Sequence, residues 1–172
     1  MKRRAFFFIS IPVTVFITIM LYEPVSLYIY RMSEPSFSYP VKTSAKELAI
    51  RNDAMGDGEF GARRRNGRTH SGIDILASVG TPVYASKSGM AFCGNVPTGY
   101  GRYIMIYHPD GFQSFYGHLT NWAIPPVKRV RKGELIGFVG KTGNACSKLV
   151  QPHLHFEIRR DGEPQNPVTL LK

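Results

Sequence analysis

His153-Leu154-His155-Phe156-Glu157-Ile158-Arg159 is the stretch from which the rest of the chain can be read. It alternates between polar and apolar residues, and on a β-strand residues i, i+2 and i+4 share one face. His153 and His155 then project together, Glu157 follows on the same side if the strand is regular, and Leu154 and Phe156 point into a core. The strand candidate here is Leu154 to Arg159, and, working outward, similar short β-branched and aromatic runs occur at Ile73 to Leu76, Pro82 to Ala85, Gly89 to Cys93, Tyr103 to His108, Gln113 to Gly117 and Leu135 to Val139. Each is bounded by Gly, Pro or Asn, and His108-Pro109-Asp110-Gly111 reads as a hairpin turn. After Gly58 no stretch sustains helical periodicity for three turns. The 17 glycines and 12 prolines are spread rather than clustered. A mostly β, antiparallel domain is predicted.

Four of the five histidines and one aspartate fall into three short blocks: His70-Ser71-Gly72-Ile73-Asp74, Tyr116-Gly117-His118-Leu119 and His153-Leu154-His155-Phe156-Glu157. Imidazole and carboxylate bind a borderline metal while leaving a position open for water. Gly72 and the β-branched Ile73 and Ile75 disfavour helix, so an extended chain would let His70 and Asp74 share a face. If His70, Asp74 and His155 hold one zinc ion, two nitrogens, one carboxylate oxygen and a water complete a tetrahedron, and the water's pKa falls toward about 7. His118 and His153 are then placed to take a proton from that water or to donate to the tetrahedral intermediate. Glu157 reads either as a partner of a ligand or as a polar edge residue. His108, next to its turn, reads as a packed or solvated histidine. Neither His-Glu-x-x-His nor Gly-x-Ser-x-Gly is present.

At 172 residues there is room for one domain and an appendage. The net charge of +10 favours polyanionic partners, and the basic knots at Arg63-Arg64-Arg65 and at Lys128-Arg129-Val130-Arg131-Lys132 read equally as a binding patch or as solvated loops that aid solubility. No helix-turn-helix, RNA-binding or zinc-finger spacing accompanies them, so no nucleic-acid partner is expected. Lys2-Arg3-Arg4 precedes an uncharged apolar run from Ala5 to Leu21, and Tyr22, Tyr28 and Tyr30 follow. As a helix the run reaches roughly 26 Å, just short of a hydrocarbon core of about 30 Å. A secretory signal peptide shares this beginning, but Tyr22-Glu23-Pro24-Val25-Ser26-Leu27 is a poor cleavage site. The reading taken is an uncleaved anchor over residues 1–30, basic end cytoplasmic, with a tether over 31–57 and a domain over 58–172 outside the cytoplasm, on the periplasmic or cell-wall side. A short helix is possible around Ala45 to Arg51. Cys93 and Cys146 either form one disulfide in the exported domain or stand as separate thiols.

Taken together, the blocks resemble the lysostaphin/LytM-type zinc endopeptidases of bacterial cell walls. The resemblance runs from Phe60-Gly61-Ala62-Arg63 through Gly80-Thr81-Pro82-Val83-Tyr84-Ala85, Gly99-Tyr100-Gly101 and Val130-Arg131-Lys132-Gly133-Glu134-Leu135-Ile136-Gly137 to Pro152-His153-Leu154-His155-Phe156-Glu157. It implies an antiparallel β-sheet fold with a substrate groove over the sheet. It further implies His70, Asp74 and His155 as the ligands of one Zn2+, His118 and His153 as catalytic residues, and peptidoglycan peptides as substrate. Some members of that family have lost ligands and act as non-catalytic activators of other wall hydrolases; here every such position is filled. A regulator or wall-binding module, and a peptidase acting on protein or free peptide, are the alternative functions. The loop from Asn144 to Gln151 is longer than usual for the family, with Gln151 where a glycine commonly precedes the proline.

Overall fold

The structure is a computed structural model that describes residues 5–42, 48–64 and 67–172. The chain divides into two compact units, residues 1–35 and 36–172. The first is a single helix, α1 (Ala5–Ser33), with no polar face to turn toward water. Its segment Val13–Ser33 is long and apolar enough to cross a membrane, and Val13, Phe16, Ile19 and Leu21 are all exposed. It is a candidate membrane anchor or signal sequence.

The second unit contains, in order, β1 (Asn52–Asp53), β2 (Gly56–Asp57), β3 (Ile73–Leu76), β4 (Pro82–Tyr84), β5 (Gly89–Asn95), β6 (Arg102–Tyr107), β7 (Phe112–Gly117), β8 (Leu119–Trp122), β9 (Val127–Val130), β10 (Leu135–Val139), β11 (His153–Arg160), β12 (Glu163–Gln165) and the short helix α2 (Pro167–Leu170). The large sheet has the order β12-β11-β7-β6-β5-β9, with β3 also paired to β11; a smaller sheet has the order β4-β10-β8. Every strand pairing is antiparallel. The mostly β, antiparallel expectation therefore holds. Ile104, Ile106, Tyr116, Leu154, Phe156 and Ile158 from the large sheet form one buried cluster with Val83, Leu119, Ile136 and Val139 from the small one.

Strand β11 decides where the chemistry goes. It lies between β3 and β7, with His155 opposite Asp74 on one side and Gly117 on the other. One rung of the sheet thus carries Asp74, His155 and the residue before His118. Gly72 makes this approach possible. A Cβ there would lie 2.3 Å from the carbonyl oxygen of Phe156, a distance no side chain tolerates.

The compact unit begins at Ser36, whereas the sequence reading carried a tether through residue 57. Isolated apolar residues among prolines and serines carry no periodic signal, yet Phe37 and Val41 are 2% and 3% exposed within the core. Phe37 bridges Leu171 and meets His108 and Phe112 edge-on, and Ile50 bridges Ile75. The short helix read around Ala45 to Arg51 begins outside the described residues, and its described end, residues 48–51, is not helical but carries the Ile50 bridge to Ile75. Replacing Phe37 with alanine is expected to destabilise the second unit by about 3–5 kcal/mol, measured by urea denaturation. A true tether residue would give almost no change.

His108 is buried, with Nδ1 donating to the Ser88 carbonyl and Nε2 2.9 Å from Ser114 Oγ, a packed histidine as expected. Cys93 and Cys146 are both free thiols.

Candidate active site

His70, Asp74 and His155 converge on one point. His70 Nε2 lies 3.0 Å from His155 Nδ1 and 3.1 Å from Asp74 Oδ1, and His155 Nδ1 lies 2.8 Å from the same oxygen. A tetrahedral zinc with metal–nitrogen bonds near 2.05 Å has ligand-to-ligand edges of roughly 3.3 Å, so the three donors are already spaced for one ion. They form a group able to hold a metal, all three buried.

The opposite edge of each imidazole is fixed. His70 Nδ1 donates to the Glu59 carbonyl at 2.9 Å, so its Nε2 lone pair faces the centre. His155 Nε2 donates to Glu157 Oε1 at 2.8 Å, so Nδ1 is the inward atom. Such outer hydrogen bonds set tautomer and ring orientation in metal sites. Glu157 is itself fully buried, with Ser71 Oγ and Tyr100 donating to Oε1 and Arg159 paired to Oε2. This resolves Glu157 as the partner of His155 rather than an edge residue. Burial works against its charge, but His155, Ser71 and Arg159 hold its carboxyl down at about 2. Burial also disfavours an imidazolium at His155, and the Asp74 and Glu157 carboxylates outweigh it, pushing the pKa up to about 9. An environment that favours a proton on Nδ1 favours a metal cation there for the same reason. Replacing Glu157 with glutamine is expected to weaken zinc binding about 10- to 100-fold, read by competition with a chromogenic chelator.

His118 and His153 complete the cluster. Their rings meet edge to face at 4.9 Å, and His118 lies 5.7 Å from His155. His118 Nδ1 donates to the Thr142 carbonyl and His153 Nδ1 to the Gln151 carbonyl, so Nε2 is the inward atom of each; that of His153 is 3.8 Å from Asp74 Oδ1. Burial pushes the His118 pKa down to about 3, reinforced by the charges of His155 and His153, and burial lowers that of His153 too. Both shifts favour the neutral imidazole, which presents an open nitrogen. His118 sits at φ 61°, a left-handed conformation that non-glycine residues rarely adopt and that concentrates at functional sites. It is held there by the Tyr100 carbonyl, which accepts its backbone N–H, and by Thr142. Those two loops can touch because Gly101 and Gly143 lie back to back, where a Cβ on Gly101 would meet Gly143 N at 2.4 Å.

The cluster opens into a groove of about 620 Å³, walled by Met55, Arg64, Arg68 and Tyr100 and by Asn144, Ala145 and Val150 of the long loop. Four residues at the site were not singled out for it by sequence reasoning. Arg51 and Arg64 both donate to Asp74 Oδ2 at 2.9 Å. Burial opposes the Asp74 charge, but His155 and His70 hold its carboxyl far below the usual range. Tyr100 stands over His155 at 5.5 Å, and Ser71 holds Glu157. A tyrosine between two glycines is a visible signal for one of these; a lone arginine in a presumed tether is none.

The model of peptidase family M23 matches residues 68–167, more than half of the chain. The chain belongs to peptidase family M23. Within the family this M23 domain is 44% identical over 103 residues to the DD-carboxypeptidase/endopeptidase Mpg of Neisseria meningitidis serogroup B, covering 60% of this chain and 23% of that protein. It is 33% identical over 151 residues to the murein hydrolase activator NlpD of Salmonella typhimurium, covering 86% of this chain and 38% of that one. Among solved structures, a zinc-containing peptidase from Vibrio cholerae superposes with a TM-score of 0.59 at 28% identity, over 76% of this chain and 38% of its own. Lysostaphin from Staphylococcus simulans superposes with a TM-score of 0.52 at 32% identity, over 58% and 42%. The chain thus spans about a quarter of Mpg and well under half of NlpD. The lysostaphin/LytM-like fold expected from the sequence is the fold observed.

Proposed function

We propose that this M23 chain is a zinc endopeptidase that hydrolyses peptide bonds in the stems or cross-bridges of peptidoglycan, held at the membrane by α1 with the domain outside the cytoplasm. The observation that carries the reading is that four imidazoles each have one nitrogen fixed to a carbonyl or carboxylate and turn the other toward a common centre shared with Asp74. His70, Asp74 and His155 would hold zinc, which when bound supplies Lewis acidity and lowers the pKa of water toward about 7. His118 and His153, kept neutral by burial, each offer an Nε2 lone pair to the proton released as water adds to the scissile carbonyl carbon. The same proton passes to the leaving nitrogen as the C–N bond breaks, giving a carboxylic acid and an amine, which part as carboxylate and ammonium once the acid's proton moves to the amine. Tyr100, its pKa pushed up to about 12 by burial and by Glu157, stays protonated and keeps its hydrogen bond to that carboxylate through the cycle. The groove admits an extended peptide from solvent.

The similarity to NlpD supports a second reading, an activator of other wall hydrolases. Incubating the full chain with purified peptidoglycan, with and without a chelator, separates the two. Chelator-sensitive release of muropeptides is the result expected here. A chain that holds one equivalent of zinc and releases none, yet stimulates another wall hydrolase, would establish the activator instead.

A further inference from the structure

Arg51 and Asp53 form a buried ion pair outside the family-matched region, in a hairpin that precedes it by more than ten residues. Arg51 Nη1 meets Asp53 Oδ1 at 2.6 Å, with the side chains 4% and 8% exposed. The rest of the guanidinium is spent on Asp74: Nε and Nη2 both donate to Oδ2, at 3.2 and 2.9 Å. The main chain repeats the link, since Arg51 N donates to the Asp74 carbonyl at 2.8 Å. On the other side, Asp53 Oδ2 accepts the backbone N–H of Gln151 at 2.9 Å. The carbonyl of Gln151 is the group that accepts His153 Nδ1 at 2.7 Å. An unbroken hydrogen-bonded path therefore runs Asp74–Arg51–Asp53–Gln151–His153.

We propose that Arg51 and Asp53 are positioning residues that fix the metal-binding Asp74 and the catalytic His153 in one frame. The proposal rests on the zinc-peptidase reading above. Two features favour positioning over mere stability. A buried ion pair is weak as a source of stability, because desolvation of both ions offsets their attraction. And, within the pair, every side-chain bond to a third residue ends on a site residue or on the loop that carries one, apart from the turn bond from Met55 N to Asp53 Oδ1. By occupying Oδ2 together with Arg64, Arg51 leaves Asp74 only Oδ1 for the centre. By fixing Gln151, Asp53 sets the tautomer and direction of His153, at the end of the loop whose extra length would otherwise leave it loosely held.

The test uses the full chain with Asp53→Asn and Arg51→Lys. Asp53→Asn should keep one equivalent of zinc and the wild-type visible spectrum of the cobalt(II)-substituted chain. It should lower kcat on peptidoglycan peptides about 10- to 100-fold with KM within about twofold, and shift the His153 Nδ1–H resonance in imidazole 15N–1H spectra. Arg51→Lys keeps the charge and loses the fork, so it should alter the cobalt spectrum and move the same resonance. Wild-type kcat and an unmoved His153 resonance in Asp53→Asn would overturn the His153 half. An unaltered cobalt spectrum in Arg51→Lys would overturn the Asp74 half. If the wild-type chain cuts no peptidoglycan, the proposed function fails on its own, and the spectrum and the resonance still decide whether the frame exists.

Discussion

The His155→Ala chain is expected to lose zinc and hydrolytic activity together while keeping its fold. His155 links much of the centre: Asp74 and His70 through Nδ1, Glu157 through Nε2, and the rings of Tyr100 and His118 beside its own. Removing it leaves two donors where four-coordinate zinc takes three from the protein, so affinity should fall by more than the roughly 100-fold typical of outer partners. A metal supplies several kcal/mol of transition-state stabilisation, which at about 1.4 kcal/mol per decade makes the loss of activity at least about 10³-fold. The strand itself should survive. Residue 155 keeps its backbone pairing to Asp74 and Gly117, and Glu157 keeps Ser71, Tyr100 and Arg159 as partners. Metal analysis, muropeptide release and circular dichroism on one preparation check all three statements. One equivalent of zinc retained by His155→Ala would show that the metal is held elsewhere.

The sequence exposed those parts of the molecule whose physics is local. Alternation in His153–Glu157 showed a strand and its two faces, because one face is core and the other is not. It left Glu157 open between two roles, since period two fixes a face but not a neighbour; Ser71, Tyr100 and Arg159 come from 86, 57 and 2 positions away. Strand β9 went unread because Val127, Lys128 and Arg129 are all exposed at a sheet edge and show no alternation. Arg51 was invisible for another reason. Its meaning lies in a carboxylate 23 residues later, and no composition rule separates a buried arginine from a solvated one in a stretch of Ser, Pro and Lys. The loop from Asn144 to Gln151 stood out by its length and by Gln151 in place of a glycine, and what it does became visible only with Asn144 Oδ1 accepting Gly99 N and Gln151 bound to Asp53. The backbone strain at His118 has no sequence signature at all.

That strain allows chemistry and stability to be separated at one position. Both His118→Ala and His118→Gly remove the imidazole, so both should keep one equivalent of zinc and lose about 10²- to 10⁴-fold in kcat, the usual contribution of a positioned acid–base group. Their stabilities should differ. At φ 61° an alanine Cβ is crowded against its own carbonyl, and glycine is not. His118→Gly should therefore be more stable than His118→Ala by about 1 kcal/mol, even though glycine is ordinarily the less stabilising of the two in a folded chain. Urea denaturation of the pair measures the difference directly. Equal stabilities would mean that the backbone at 118 relaxes once the ring is gone, and that the Thr142 contact to Nδ1 is what holds the left-handed turn. Wild-type kcat in either variant would take His118 out of the proton path and leave His153 to carry it alone.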